Sequence, residues 1–207
     1  MDNYFKKSNI IMIDYLIYHY CMDNFNDIGF GCSYRNIQTI ISSYKKNYKN
    51  NIKIPNIKNI LNYFDRNYQI KIAEGKTIDL WIEPFQISEY LKNHYKIKGE
   101  NILYVTKDED ISKILKTDIS VYLSNTIYNK STFDKLLDLI NQHFNKSKLP
   151  IVIDNGTYSY CIVNSNNNLE DLILIDPHTT NSKNTTKIKN KNFLKNSFWM
   201  FYLPIEY

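Results

Sequence analysis

The chain has 207 residues, a length that suits one ordinary domain, and we expect residues 1–207 to form a single unit around one core. With 43% hydrophobic and 23% charged residues, the composition is that of a globular protein and excludes a disordered or fibrous chain. The net charge is +5, but the lysines are scattered and no nucleic-acid-binding motif accompanies them, so we expect no nucleic-acid partner.

In the first half of the chain, apolar residues recur with the periods of short elements. Residues 9–20 are rich in Ile and Tyr and predict a strand or a strand pair. Apolar residues at three- and four-residue intervals over 33–45 predict an amphipathic helix that is buried on one side. A loop over 46–55, a second helix over 57–64 and a third helix after Pro84 follow.

In the second half, strand-like and helix-like stretches alternate. The predicted strands are residues 101–107, 118–124, 149–156, 158–164, 171–178 and 198–205. We expect helices over 108–116 and 131–144, turns at Asn155-Gly156 and 164–168, and a mobile loop over 179–192. The order predicts a mixed α/β (α+β) fold, with helices first and a mainly antiparallel sheet last.

Cys32 stands directly after a glycine-rich turn, at the start of the first predicted helix. Gly29 and Gly31 precede it, although the chain has only five glycines. Glycine permits backbone conformations and close approaches that a Cβ would block. The N–H groups at a helix N-terminus stabilise a thiolate. The pattern indicates a nucleophilic cysteine, against the alternative that Cys32 is a buried core thiol.

A cysteine nucleophile needs a base and a group that orients the base, and the end of one predicted strand offers both. Asp176 and His178 follow the apolar run at 172–175. In an extended chain, residues two apart point to the same side, so these side chains should emerge together. Pro177 stiffens their presentation. The alternative is that Asp-Pro-His only forms a turn at the end of the strand.

The segment DIGFGCSYRNIQT, residues 27–39, resembles the active-site pattern D-x-G-W-G-C-x-Y-R-x-x-Q-T of the ubiquitin-fold-modifier-specific proteases. LILIDPH and FWMFYLP, residues 172–178 and 198–204, are similar to that family's Asp-Pro-His strand and closing strand. The resemblance extends from about residue 15 to 205. It implies a papain-like cysteine protease fold, with an N-terminal active-site helix packed on the sheet, and cleavage after the C-terminal glycine of ubiquitin-fold modifier.

The resemblance also implies roles for individual residues. Cys32 would be the nucleophile, His178 the general base and then the acid, and Asp176 the carboxylate that orients His178. Tyr20 matches a family tyrosine whose hydroxyl helps to form the oxyanion hole, together with the backbone N–H of Cys32. From the residues alone, the preferred interpretation of Tyr20 is one more half-buried tyrosine of a strand.

Two aromatic residues would line the substrate cleft. Phe30 replaces the family's tryptophan before Gly-Cys, which keeps an aromatic wall and removes the indole donor. Trp81 begins a segment that resembles Trp-Ile-Gly-x-x-Glu, with Glu83 in place of the glycine and Gln86 in place of the glutamate. The resemblance assigns Phe30 and Trp81 to substrate binding, and core packing is the alternative for Trp81.

The cysteine segment also resembles a related branch, the zinc-finger-bearing deubiquitinases. In that branch the catalytic histidine lies on the strand that precedes the Asp-Pro-His strand. Here the matching position is Tyr160, which cannot serve as that base, so His178 must. The chain also lacks that branch's zinc fingers. The alternatives are a deubiquitinase, a protease for the autophagy modifier, and an idle module that only binds a ubiquitin-like protein. The intact catalytic set argues against an idle module.

The remaining features concern location and cofactors. Three cysteines are an odd number and the N-terminus lacks the segments of a signal peptide, so we expect a cytoplasmic or nuclear protein that is not secreted. The apolar run at 9–18 is too short to span a bilayer and contains Asp14, so no membrane partner is expected. Without a CxxC pair or a histidine cluster, we expect no metal and no cofactor. We expect a monomer whose partner is ubiquitin-fold modifier or another ubiquitin-like protein.

Overall fold

A computed structural model describes residues 15–106, 127–165, 170–182 and 185–206. Within these ranges the chain forms five α-helices and seven β-strands. The helices are α1 (Cys32–Asn47), α2 (Ile57–Phe64), α3 (Tyr68–Ala73), α4 (Pro84–Tyr95) and α5 (Phe133–Lys146). The strands are β1 (Lys98–Tyr104), β2 (Ile127–Tyr128), β3 (Ile151–Asp154), β4 (Ser159–Ser165), β5 (Asp171–Ile175), β6 (Thr186–Asn190) and β7 (Trp199–Ile205). No helix in the described ranges is long and apolar enough to cross a membrane.

The seven strands form one sheet in the order β2-β1-β7-β3-β4-β5-β6. Only the short β1–β2 pair is parallel, and all the other described pairs are antiparallel. The closing strand β7 is inserted between β1 and β3, and its residues from Trp199 to Pro204 are buried. The predicted α/β fold class, with a mainly antiparallel sheet, is therefore confirmed.

Each face of the sheet has its own core, as the alternation of side chains along a strand requires. Helices α1, α2 and α4 pack with Val152 and Cys161 on one face. Helix α5 packs with Ile153 and Ile162 on the other face. Helix α1 thus lies against the sheet, as the resemblance implied.

The loop before α1 is folded around a buried ion pair, which we call the clasp, between Arg35 and Asp27. The Nε of Arg35 donates to one oxygen of Asp27 at 2.8 Å and an Nη donates to the other at 3.0 Å. Both side chains are completely buried. Arg35 also donates to Asp23, to Gln38 and to the carbonyl of Met22. Such fork-to-carboxylate pairing fixes geometry as well as charge.

Asp27 also sets the backbone on both sides of itself. Its carboxylate accepts from the N–H of Cys21 at 2.8 Å, and its carbonyl accepts from the N–H of Gly31 at 2.8 Å. A Cβ on Gly31 would lie 2.0 Å from Asp27 Oδ2, so this position requires glycine. The clasp therefore places Cys32, the next residue, at the start of α1.

The strand predicted over residues 9–20 is wrong over its described part. Residues 15–20 belong to no strand of the sheet. Their backbone is held by side chains of α1 instead: the N–H of Leu16 donates to Ser42 Oγ at 2.9 Å, and that of Tyr18 donates to Thr39 Oγ1 at 3.0 Å. Residues 9–14 lie outside the described ranges. Helix α1 is confirmed, but it is buried all round from Ser33 to Tyr44 and not on one side only.

Other predictions differ in detail. The loop predicted over 179–192 contains β6, whose five residues are all exposed and so lack the apolar alternation that marks a strand. Helix α3 was not predicted. The turn at Asn155-Gly156 is confirmed, with a φ of +81° at Gly156. The elements predicted at 108–116 and 118–124 lie outside the described residues.

We predict that Arg35→Met lowers the free energy of unfolding by about 3–5 kcal/mol, because it leaves the buried Asp27 carboxylate without its counter-charge. Urea denaturation followed by circular dichroism measures the change. Arg66→Met is the matched control, because Arg66 is exposed, and its effect should stay within about 0.5 kcal/mol. Similar effects of the two substitutions would contradict a structural role for the clasp.

Candidate active site

Asp176 and His178 meet at the end of β5. One oxygen of Asp176, Oδ1, accepts from the backbone N–H of His178 at 2.9 Å and lies 2.6 Å from His178 Nδ1. The other oxygen, Oδ2, bonds to the ammonium group of Lys187. Pro177 and His178 form a turn, so the turn brings the two side chains together and not the extended chain that the sequence suggested.

The electrostatics of this pair favour two opposite charges. Burial alone would lower the pKa of His178, but the hydrogen bond with Asp176 and the nearby Cys32 outweigh burial and raise the pKa to about 9. Burial would raise the pKa of Asp176, but its bonds to His178 and Lys187 hold that pKa well below its usual range. At neutral pH the pair is therefore an imidazolium and a carboxylate.

Cys32 lies at the first residue of α1 and is partly exposed. Because Nδ1 of His178 faces Asp176, the other ring nitrogen, Nε2, is the one available to the thiol. Nε2 is buried and has no well-formed hydrogen bond to any described residue, although Cys32 is close enough to support the imidazolium. Catalytic hydrogen bonds are often long before substrate binds. The geometry fits a thiol and imidazole pair that tightens on a substrate.

Tyr20 joins the two halves of the site. Its backbone N–H donates to the carbonyl of Pro177 at 2.9 Å, and its ring contacts the His178 ring edge-on at 5.5 Å between centroids. Its hydroxyl lies near the Cys32 side chain and the backbone N–H of Gly29. Burial, and then the proximity of Cys32, raise the pKa of Tyr20, so the hydroxyl keeps its proton and can donate it in a hydrogen bond.

Two further tyrosines enclose His178. The rings of Tyr158 and Tyr160 each lie 5.2 Å from the His178 ring, between centroids. Burial raises the pKa of Tyr160 to about 12, so at neutral pH it is a neutral phenol. A neutral phenol cannot act as a general base, which agrees with the assignment of that role to His178. Neither contact was predicted from the sequence.

A cleft of about 350 Å³ opens beside Cys32. Its lining includes both aromatic residues that the sequence assigned to substrate binding, Phe30 and Trp81. Phe30 is buried, whereas Trp81 is exposed and its indole N–H donates to the carbonyl of Gly29 at 3.0 Å. Trp81 is therefore a cleft residue and not a core residue. The complete lining is Phe30, Cys32, Ser33, Trp81, Ile82, Glu83, Phe85, Gln86, Asp154, Gly156 and Thr157.

Asp154 is a cleft residue that sequence reasoning missed. It is buried at the end of β3, and its Oδ1 accepts from the N–H of Gly156 at 2.6 Å. Burial raises the pKa of Asp154 to about 6, despite hydrogen bonds from Gly156 and from Ser159, which itself accepts from Asn36. A signal existed, because Asp154 ends an apolar run before a turn, as Asp176 does. The described residues hold no cluster of ligands suited to a metal ion.

The model of a protease family, described as Peptidase family C78, matches residues 6–201. The chain belongs to peptidase family C78. This C78 chain is 24% identical over 94% of its length to a probable Ufm1-specific protease of Oryza sativa subsp. japonica, and 23% identical over 96% to a Ufm1-specific protease of Caenorhabditis elegans. It covers only 30% and 31% of those two proteins, so it spans about a third of the length of the curated relatives it matches.

A solved structure extends the comparison to the fold. The crystal structure of UfSP from C. elegans superposes with a TM-score of 0.62 and 22% sequence identity, over 93% of the C78 chain and 33% of the solved chain. At this level of identity the likeness establishes the fold. It confirms the papain-like fold expected from the sequence. The roles of Cys32, Asp176, His178, Tyr20, Phe30 and Trp81 stay predictions.

We predict that the His178 imidazole titrates near pH 9 and that Asp176→Asn lowers this midpoint by about one to three pH units, because burial then acts without the carboxylate. NMR of the histidine ring protons measures both values. His143 is an internal control, since burial lowers its pKa and it bonds to the Leu149 carbonyl, far along the chain from Asp176. If the His178 midpoint were the same in the wild-type chain and in Asp176→Asn, Asp176 would not be the partner that raises the pKa of His178.

The same pair makes stability depend on pH. The pKa of His178 is higher in the folded chain than its ordinary value of 6.5, so the stabilisation is complete below about pH 6.5 and is lost as the pH rises through about 9. The advantage of the wild-type chain over His178→Gln in urea denaturation should therefore shrink across that window.

Proposed function

We propose that this chain is a cysteine protease that cleaves the peptide or isopeptide bond after the C-terminal glycine of ubiquitin-fold modifier, Ufm1. The observation that carries the proposal is the convergence of four groups from separate parts of the chain. Cys32 stands at a helix N-terminus, His178 is held by Asp176 at 2.6 Å, and the Tyr20 hydroxyl lies beside the cysteine. These are the parts that thiol acyl transfer needs.

In the first half of the reaction, the Cys32 thiolate attacks the carbonyl carbon of the substrate glycine. Negative charge then develops on the carbonyl oxygen. The backbone N–H of Cys32 has no partner inside the helix that it begins, so it is free to donate to this oxygen, together with the Tyr20 hydroxyl. His178 gives its Nε2 proton to the leaving amine, and the C–N bond breaks to leave a thioester on Cys32.

In the second half, a water molecule attacks the thioester. His178 is then neutral and accepts a proton from that water, so a hydroxide equivalent adds to the carbonyl carbon and the Cys32 thiolate leaves. Asp176 stabilises the imidazolium formed in this step and keeps Nδ1 as the protonated nitrogen toward itself. The free modifier departs with a C-terminal carboxylate.

The cleft supports a substrate with glycine at the scissile bond. Phe30 and Trp81 line the cleft, and so do Gly156 and Thr157 of the turn between β3 and β4. A substrate glycine adds no side chain to the volume that this cleft must hold. The relatives named as Ufm1-specific proteases support Ufm1 as the modifier. Tyr160, in contact with His178, argues against the histidine arrangement of the deubiquitinase branch.

We predict that Ufm1 carrying an electrophile at its C-terminus labels Cys32 faster than ubiquitin carrying the same group. Intact-mass spectrometry over time measures both rates. Cys32→Ala should abolish labelling, whereas Cys21→Ala should keep the wild-type rate, because Cys21 is exposed and its thiol takes no part in the site. Equal or faster labelling by ubiquitin would favour a deubiquitinase, and no labelling by any modifier would favour an idle binding module.

A second prediction separates catalysis by Tyr20 from simple packing. Tyr20→Phe keeps the ring that contacts His178 and deletes the hydroxyl, so kcat should fall by roughly ten- to a thousandfold while KM stays near its wild-type value. Steady-state kinetics on a Ufm1 precursor measure both constants. Tyr158→Phe is the control, because the Tyr158 ring also contacts His178 but is exposed. A normal kcat in Tyr20→Phe would withdraw Tyr20 from the reaction.

A further inference from the structure

Lys187 reaches the candidate site from the exposed strand β6. Its backbone pairs with Leu174 of β5, two residues before Asp176. The N–H of Asp176 donates to the carbonyl of Thr185 at 2.6 Å, which ties the start of β6 to the end of β5. The Lys187 ammonium bonds to Asp176 Oδ2, and its side chain is 44% exposed.

The two oxygens of Asp176 have separate tasks. Oδ1 receives both hydrogen bonds from His178, at 2.6 and 2.9 Å, whereas Oδ2 receives the ammonium of Lys187. A carboxylate held at both oxygens cannot rotate away from the imidazole. The ammonium also balances part of the negative charge that Asp176 directs at His178.

We propose that Lys187 is a positioning residue, which fixes the Asp176 carboxylate and limits how tightly that carboxylate retains the proton on His178. The inference rests on the proposed function, because Lys187 would affect the rate of the step in which His178 gives its proton to the leaving amine. An imidazolium that is held too strongly by its carboxylate is a weaker acid, and the C–N bond then breaks more slowly.

The Cys32 side chain, the His178 imidazolium, the Asp176 carboxylate and the Lys187 ammonium follow one another along this line. Removal of the ammonium leaves the full carboxylate charge to act on the imidazolium and also removes a cation that opposes protonation of His178. The two bonds from His178 still hold Oδ1 after this change, so both effects raise the pH at which His178 loses its proton. The titratable groups that face Asp176 and His178 in the described chain are Cys32, Tyr20, Asp154, Tyr158, Tyr160 and Lys187.

The experiment combines an NMR titration of His178 with kinetics on a Ufm1 precursor. In Lys187→Met, the His178 midpoint should rise by about half a pH unit. The kcat should fall about three- to tenfold, and KM should stay at its wild-type value. Lys187→Arg should restore both quantities, because guanidinium keeps the charge and binds carboxylates.

Lys189→Met is the matched control. Lys189 lies two residues along the same strand, and its ammonium is 5.8 Å from the Phe193 ring centroid and not at Asp176. It should leave the midpoint and kcat unchanged. An unchanged or lower His178 midpoint in Lys187→Met overturns the proposal, and so does a lower kcat that Lys187→Arg does not restore. Failure of the wild-type chain to cleave Ufm1 refutes the proposed function alone, because the titration needs no substrate.

Discussion

The site depends on one interaction that takes no part in the chemistry, the buried ion pair between Arg35 and Asp27. A fully buried charge is costly unless it is paired and hydrogen-bonded. Here Arg35 and Asp27 supply each other with an opposite charge and with two hydrogen bonds. The pair closes the loop at residues 21–31 onto α1. Tyr20 and Cys32 lie at the two ends of that loop, so their separation is set by the clasp.

The second half of the site comes from the other end of the chain and is attached through main-chain bonds. The N–H of Tyr20 donates to the carbonyl of Pro177, and the N–H of Asp176 donates to the carbonyl of Thr185. Backbone bonds of this kind do not depend on side-chain rotamers. Tyr20, the proposed oxyanion donor, is therefore fixed directly to the Asp-Pro-His turn, while Cys32, the proposed nucleophile, is fixed at the start of α1.

Sequence patterns predicted elements whose signals are local. The helix after Cys32 and the strand before Asp176 could be predicted, because the spacing of apolar residues and the position of glycines depend on burial within a few residues. Strand β6 could not be predicted, since all five of its residues are exposed and show no alternation of apolar and polar side chains. The role of Lys187, which lies on β6, was therefore missed as well. The strand predicted at residues 15–20 was wrong because backbone N–H groups of this segment donate to side chains of α1. A local sequence pattern does not show such distant partners. Asp154 ends an apolar run before a turn, as Asp176 does, but only long-range contacts place it in the cleft.

The clasp has a consequence for how such sequences are compared. Arg35, Asp27 and Gly31 hold the loop without any contribution from the Cys32 thiol. A gene copy that lost only the cysteine would keep the same fold. A match to Asp27, Gly31 and Arg35 of the motif therefore indicates the fold and not the activity. Activity would have to be inferred from the few proposed catalytic positions. Each of these can be substituted without loss of the fold.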